Sequence, residues 1–131
     1  VSRAPIFCVI DGDSILEPDA LIRAAQPFID DPERTVAVGG TIRIANNSVV
    51  SGGRIEEVRL PTQILPLFQV VEYLRAFLMA RLAWSRINTL MLVSGAFGVF
   101  RRREVIAVGG FSKGSMGEDL DLIIKLHRHL I

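Results

Sequence analysis

The chain has 131 residues, enough for one compact domain, and half of them are hydrophobic. Its 15 basic and 14 acidic residues give a formal net charge of +1, so no nucleic-acid partner is expected. No signal peptide is recognisable, and no uninterrupted apolar stretch reaches the length of a membrane-spanning helix. We therefore expect a single domain over residues 1–131 with a substantial hydrophobic core.

The first apolar segment, residues 4–10, predicts a strand buried on both faces, as in a parallel sheet. Cys8 lies in this strand, and a single buried cysteine suits a reducing compartment. Asp11, Gly12 and Asp13 follow at the sheet edge, where open α/β folds bind ligands. In extended backbone the two carboxylates point to the same side, where both can face one Mg²⁺ or Mn²⁺ ion. The same residue types also form ordinary turns, so both interpretations stay open.

A helix and a second strand are predicted next. Residues 14–20 lead into the helix, which ends near residues 30–32. Its apolar face is formed by Leu21, Ile22, Ala25 and Phe28. Residues 35–45 predict a strand, in which Gly39 and Gly40 indicate a bulge or the close approach of another group.

The middle of the chain predicts irregular structure followed by the longest helix. Residues 46–53 have the composition of a loop, and residues 54–66 that of an extended or mobile connection. Residues 67–85 carry apolar residues at helical spacing, interrupted by charges. This pattern favours a core helix with one polar face over a helix on a membrane surface.

The last third predicts a buried strand and two helices. Residues 89–100 are apolar but interrupted by Ser94, Gly95 and Gly98, small residues that let another group approach the backbone closely. A short helix over residues 101–108 is predicted to stop at the glycines that follow it. The final helix is expected to have an apolar face formed by Leu122, Ile123, Leu126 and Leu130.

A second acidic site begins at the start of this final helix, with Glu118 and Asp119. Carboxylates there are stabilised by the helix dipole, which is a sufficient structural explanation. The functional alternative makes one of them a general base that takes a proton from an acceptor hydroxyl. Asp121 is interpreted as a solvated acid of the first turn. No Ser/His/Asp pattern, Cys/His cluster or P-loop motif accompanies these acids.

Four motifs follow one another in order: DGDS at 11–14, VSGAFGVFRR at 93–102, VGGF at 108–111 and GEDLDL at 117–122. Together they resemble family 2 glycosyltransferases. The first motif resembles their Asp-X-Asp segment. The second resembles the acceptor-side segment of the processive, membrane-bound members, which include cellulose, chitin, hyaluronan and poly-N-acetylglucosamine synthases. The last two resemble the segment that carries the catalytic base.

The resemblance implies an α/β fold of the GT-A type, a Rossmann-like mixed sheet flanked by helices, here incomplete at the N-terminus. It implies that a sugar, N-acetylglucosamine or glucose, moves from a UDP-sugar to a growing polysaccharide with inversion, assisted by Mg²⁺ or Mn²⁺. By the same resemblance, Asp11 and Asp13 bind the nucleotide-sugar and the metal. Asp119 is the general base, with Glu118 in support. The acceptor-binding residues are Ser94 and Gly95.

The resemblance further implies that the full-length protein is embedded in a membrane with this domain facing the cytoplasm. The amino-terminal strands of the family, which hold the base and the ribose, are not matched. The Gln-X-X-Arg-Trp segment of processive members is also unmatched, because Trp84 follows Arg81, Leu82 and Ala83. We therefore expect this segment alone not to be catalytically competent.

Two other functions stay open from the residues alone. A nucleotidyltransferase also uses carboxylates at strand ends and a metal ion, but it needs a glycine-rich loop with basic residues, which is not found here. In a non-catalytic binding domain, Asp11, Asp13 and Asp119 would be only turn and cap residues.

Overall fold

The computed structural model describes residues 3–87, 90, 93, 95–112, 114 and 117–130. The predicted α/β class is confirmed, since the structure contains both sheets and helices. The strands are β1 (Ile6–Ile10), β2 (Ala37–Gly39), β3 (Val49–Ser51), β4 (Arg54–Glu57) and β5 (Phe97–Arg101). The helices are α1 (Ala20–Asp30), α2 (Ile64–Tyr73), α3 (Arg81–Arg86), α4 (Arg102–Ala107) and α5 (Glu118–Leu130), with a π-helical segment at Leu74–Ala80.

The chain divides into two compact units, each described by itself below. The first unit contains residues 1–12, 21–40 and 91–131, and the second contains residues 13–20 and 41–90.

The sheet of the first unit has the order β1-β5-β2, with β5 antiparallel to both neighbours. Residues 97–100 of β5 are buried, whereas β1 is half-buried and its Ile10 is 39% exposed. The prediction that the first strand is buried on both faces in a parallel sheet was wrong. An apolar run does not by itself distinguish a central strand from an edge strand, because both pack one face on the core. Cys8 is likewise half-buried, and this burial raises the pKa of its thiol.

Helix α1 of this unit has a short buried face. Helix α1 buries Ala24 and Phe28, four residues apart, but Leu21 and Ile22 of the predicted face are 50% and 72% exposed. The face is therefore narrower than predicted, because the first turn of the helix is not covered. The core of the unit consists of Ala24, Phe28, Val93, Phe97, Val99, Phe100, Val105, Leu122, Ile123 and Leu126.

Glycines in and beside β5 permit close packing, as their positions in the sequence predicted. An ideal Cβ atom on Gly98 would lie 2.9 Å from Cγ1 of Val93 and 2.8 Å from Cε2 of Phe100. A Cβ atom on Gly40 would overlap the ring of Phe97. The strand predicted over residues 35–45 ends at Gly39, so it is much shorter than its β-branched composition indicated.

The short helix α4 ends where its glycines predict. Gly109 and Gly110 have φ angles of 83° and 73°, in the left-handed region that favours glycine. The backbone N–H of Gly110 donates to the carbonyl of Val105 at 2.9 Å, which closes the helix end.

The second unit begins its regular structure with a hairpin that the sequence did not predict. Strands β3 and β4 pair antiparallel where a loop and an extended connection were expected. Gly52 and Gly53 have φ angles of 56° and 75°, as a two-residue turn between twisted strands requires. The hairpin was missed because its strands are short and β4 carries three charges, which obscures the alternating pattern.

The long helix of the second unit is continuous from α2 through the π-helical segment into α3, so the predicted helix over residues 67–85 is confirmed. Its interpretation as a core helix was wrong, because α2 has no buried residue and Phe68 is 66% exposed. The guanidinium of Arg81 lies 3.9 Å from the ring centroid of Phe77. Partial burial lowers the pKa of Arg81.

Truncation of Leu122 to alanine should test the core of the first unit. Leu122 is fully buried, so Leu122→Ala is expected to destabilise the protein by about 2–5 kcal/mol through lost burial and a cavity. The matched control is Leu130→Ala on the same helix, where the side chain is 53% exposed and a loss within about 0.5 kcal/mol is expected. Denaturant unfolding of the intact protein measures both, and equal losses would contradict this core.

Candidate active site

Asp11 lies at the end of β1, beside the residue that precedes β5. Ile10 pairs with Phe97, and the backbone N–H of Asp11 then donates to the carbonyl of Ala96 at 3.4 Å. The ladder therefore continues for one residue beyond the strand. The side chain of Asp11 is exposed at this edge of the sheet, as the sequence predicted for a ligand-binding residue.

The backbone changes direction directly after Asp11. Gly12 and Asp13 form a turn, so the segment is not extended as the sequence suggested. That both carboxylates face one ion stays a prediction. The turn residues Asp, Gly and Ser outweigh the tendency of the strand to continue. Asp13 is exposed in the second unit, and a Cβ atom on Gly12 would meet no atom within 4 Å.

Asp119 contacts the predicted acceptor-side segment. An ideal Cβ atom on Gly95 would lie 2.5 Å from Oδ2 of Asp119 and 3.3 Å from its Cγ. Only glycine leaves room for the carboxylate in this arrangement. Gly95 adjoins Ala96, whose carbonyl accepts the hydrogen bond from the backbone N–H of Asp11. The structure thus brings together Asp11, Gly95 and Asp119, which all lie in the first unit. Ser94, the other predicted acceptor residue, lies outside the described residues.

Helix α5 presents Glu118 and Asp119 in its first turn, as predicted. Glu118 is exposed and Asp119 is half-buried, so the two neighbouring acids differ in their access to solvent. The positive end of the helix dipole stabilises both carboxylates. This stabilisation by the helix dipole is expected whether the two residues are only structural or also catalytic.

A polar network that the sequence did not predict holds α5 to the segment before it. The Nζ atom of Lys125 donates to Oγ of Ser112 at 2.6 Å and to the carbonyl of Gly110 at 3.4 Å. It also forms an ion pair with Oδ2 of Asp121 at 2.8 Å, and the hydroxyl of Ser112 donates to the same oxygen. The Asp121–Lys125 spacing of four residues on one helix was the available signal, whereas the participation of Ser112 depends on the fold.

The described residues contain no group of three or more His, Cys, Asp or Glu side chains that could hold a metal ion. Mg²⁺ bound with a substrate diphosphate, however, takes only one or two protein carboxylates. Asp11 and Asp13 are each exposed carboxylates, so their chemistry fits such an ion.

The family model of Glycosyltransferase like family 2 matches residues 2–130. The chain belongs to this family. Its mixed α/β structure is consistent with a partial GT-A domain, as the motifs implied. Membership of this family supports the interpretation of the chain as part of a transferase, in agreement with the four motifs.

Curated relatives of this glycosyltransferase chain include poly-beta-1,6-N-acetyl-D-glucosamine synthases of Staphylococcus aureus strains COL, MSSA476 and MRSA252. Each is 27% identical over 122 residues, which are 93% of this chain and 26% of the relative. The chain thus spans about a quarter of the length of the curated relatives it matches. No solved structure matches it significantly. None of the helices in the described part of the chain combines the length and apolar character needed to cross a membrane.

Replacement of Asp121 by asparagine should reduce the acid sensitivity of the protein. Hydrogen bonds from Lys125 and Ser112 lower the pKa of the Asp121 carboxyl below its ordinary value of 3.8. A lowered pKa contributes stability above pH 3.8, and this contribution is lost as the pH falls through the folded-state value. As the pH falls from 3.8 through the lower folded-state pKa, the thermal midpoint should therefore fall less in Asp121→Asn than in the wild type. Equal falls would contradict the network.

Proposed function

We propose that this chain is part of the catalytic domain of an inverting glycosyltransferase, which moves a sugar from a UDP-sugar to a growing polysaccharide. The observation that carries the proposal is the carboxylate of Asp119 beside Gly95, at the end of the sheet where Asp11 follows β1. A carboxylate, a small residue beside it and a further exposed acid suit the activation of a hydroxyl next to a bound nucleotide.

In this proposal, Asp119 is the general base. It takes the proton from the acceptor hydroxyl as that oxygen attacks the anomeric carbon of the donor sugar. The bond from this carbon to the diphosphate breaks, and UDP leaves with the electron pair. One direct displacement inverts the configuration and needs no enzyme nucleophile. Glu118, exposed in the same turn, supports the base by hydrogen bonding or charge.

Asp11 and Asp13 are proposed to hold the nucleotide-sugar and its Mg²⁺ or Mn²⁺ ion through their carboxylate oxygens. When bound, the cation stabilises the negative charge that develops on the departing diphosphate. A Cβ atom on Gly12 would meet no atom within 4 Å, so a bulky ligand can approach the backbone at this residue. Ser94 and Gly95 are proposed to lie beside the acceptor sugar.

N-acetylglucosamine is the proposed sugar, because the curated relatives are named poly-beta-1,6-N-acetyl-D-glucosamine synthases, and glucose is the second candidate. The chain matches about a quarter of those relatives, so we propose that the activity belongs to a longer protein. The motifs shared with processive synthases support a membrane location for that protein, with this domain in the cytoplasm.

Changes at Asp119 and Gly95 test the proposed base in the intact protein. Asp119→Asn should lower kcat by about 10²–10⁴-fold, because the acceptor hydroxyl is no longer deprotonated. Gly95→Ala should lower kcat by about 10–100-fold, because its Cβ atom displaces the carboxylate from its position. The matched control is Gly117→Ala, where a Cβ atom meets nothing within 4 Å. UDP release measures all three, and wild-type kcat in Asp119→Asn would exclude this residue as the base.

Donor binding tests the proposed metal site. UDP-N-acetylglucosamine and UDP-glucose are titrated calorimetrically into the intact protein with Mn²⁺ and again with a chelator. Binding of one donor should need the metal and should weaken at least about tenfold in Asp13→Asn, since an interaction with a charged group contributes about 1.5–3 kcal/mol. The matched control is Asp30→Asn, an exposed carboxylate at the end of α1 that accepts a hydrogen bond from Gln26.

Product analysis and the same titrations separate the proposal from its alternatives. Release of pyrophosphate with transfer of a nucleoside monophosphate would favour a nucleotidyltransferase. An intact protein that binds no nucleotide-sugar with or without metal would favour a non-catalytic domain, in which Asp11, Asp13 and Asp119 only form turns and caps.

A further inference from the structure

Lys125 uses its ammonium group to join helix α5 to the segment that contains Gly110 and Ser112. Its acceptors are the hydroxyl of Ser112, the carboxylate of Asp121 and the carbonyl of Gly110. An ammonium has three N–H donors, so the three acceptors match its full capacity. The Ser112 hydroxyl accepts from Lys125 and donates to Asp121, which closes a ring of polar contacts.

The segment 110–112, here called the clamp, is held from two sides. On one side, Lys125 and Asp121 bind it to α5 through the contacts described above. On the other side, the ring of Phe111 packs edge-on against Phe100 of β5, with centroids 6.0 Å apart. The clamp therefore connects α5 with β5 although the two elements are separate in the sequence.

These two elements carry the two halves of the candidate active site. Gly95 lies two residues before β5, and Asp119 lies in the first turn of α5, two residues before Asp121. The space between the Gly95 α-carbon and the Asp119 carboxylate leaves no room for even one extra carbon. A small displacement of α5 relative to β5 would consequently change where the carboxylate lies.

We infer that Lys125 is a positioning residue, which holds the clamp against α5 and thereby fixes the Asp119 carboxylate beside Gly95. The inference rests on the proposed function, because it assigns Lys125 an effect on the general base. Lys125 does not touch the reacting atoms. It acts through Ser112 and Asp121.

An ordinary surface ion pair would not have this effect. A pair of opposite charges four residues apart on an exposed helix contributes only about 0.3–0.5 kcal/mol and fixes no other segment. Lys125 differs because two of its three acceptors, Gly110 and Ser112, lie outside the helix. Directional hydrogen bonds between two segments determine how one segment is oriented relative to the other. Apolar packing alone defines this orientation only loosely.

The test measures sugar transfer by the full-length protein with saturating metal. Lys125→Met and Ser112→Ala should each lower kcat by about 10–100-fold, because a misplaced base loses its near-attack geometry. KM for the UDP-sugar should stay within about twofold, since the donor site is not touched. Ser112→Ala leaves every charge in place, so it separates positioning from an electrostatic effect on Asp119.

Two rescue variants and one control complete the set. Lys125→Arg keeps donors for Asp121 and Ser112, and Ser112→Thr keeps the hydroxyl, so both should restore most of kcat. Arg128→Met removes a positive charge from the same helix outside the clamp and should leave kcat unchanged.

The outcomes separate the inference from the proposed function. Wild-type protein that transfers no sugar overturns the proposed function and the inference together. Active wild type with unchanged kcat in Lys125→Met and Ser112→Ala overturns the inference alone. So does a loss of kcat that only follows a loss of folded protein, or an equal loss in Arg128→Met. If Lys125→Met fails to fold, Ser112→Ala with its Ser112→Thr rescue decides the question.

Discussion

The carboxylate of Asp119 occupies the space that any side chain at position 95 would need, and the candidate active site depends on this contact. The two residues are far apart in the sequence: Gly95 precedes the central strand, and Asp119 is the second residue of the last helix. Asp11 reaches the same edge because the β1–β5 ladder continues to Ala96. Three segments from both ends of the chain thus meet at one point, where an acid beside a small residue suits the activation of a hydroxyl.

Strand β5 is the element that holds these segments together. It is hydrogen-bonded on both sides, and four of its five residues are buried. Its Phe100 contacts Phe7 of β1 and Phe111 of the clamp, with ring centroids 5.7 and 6.0 Å apart. Burial of these rings stabilises the unit but does not fix how its segments are oriented, because the hydrophobic effect is non-directional. The polar contacts of Lys125 are directional, and in our proposal they fix the position of the Asp119 carboxylate.

The second unit combines a short hairpin with a long helix whose apolar residues are largely exposed. Phe68 and Val71 are 66% and 56% exposed, so the apolar pattern of this helix does not correspond to burial within its own unit. The hairpin is closed by Gly52 and Gly53, which supply the two positive φ angles of its turn. This unit also contains Asp13, so the two acids of the Asp-X-Asp motif belong to different units, joined at a glycine.

The sequence by itself determined the family, the α/β class, the glycine stop of α4 and the position of Asp119 in a first helical turn. These features depend on residues that are close in the chain, such as Gly109 and Gly110 after a helical pattern, or an acid at a helix start. Only the tertiary structure decided that β5 is central, that Gly95 faces Asp119, and that Lys125 binds Ser112. It also decided that Phe68 is exposed. Such features depend on which distant segments pack together. Strand order and contacts between remote side chains leave no signal in the local periodicity or propensity of the sequence.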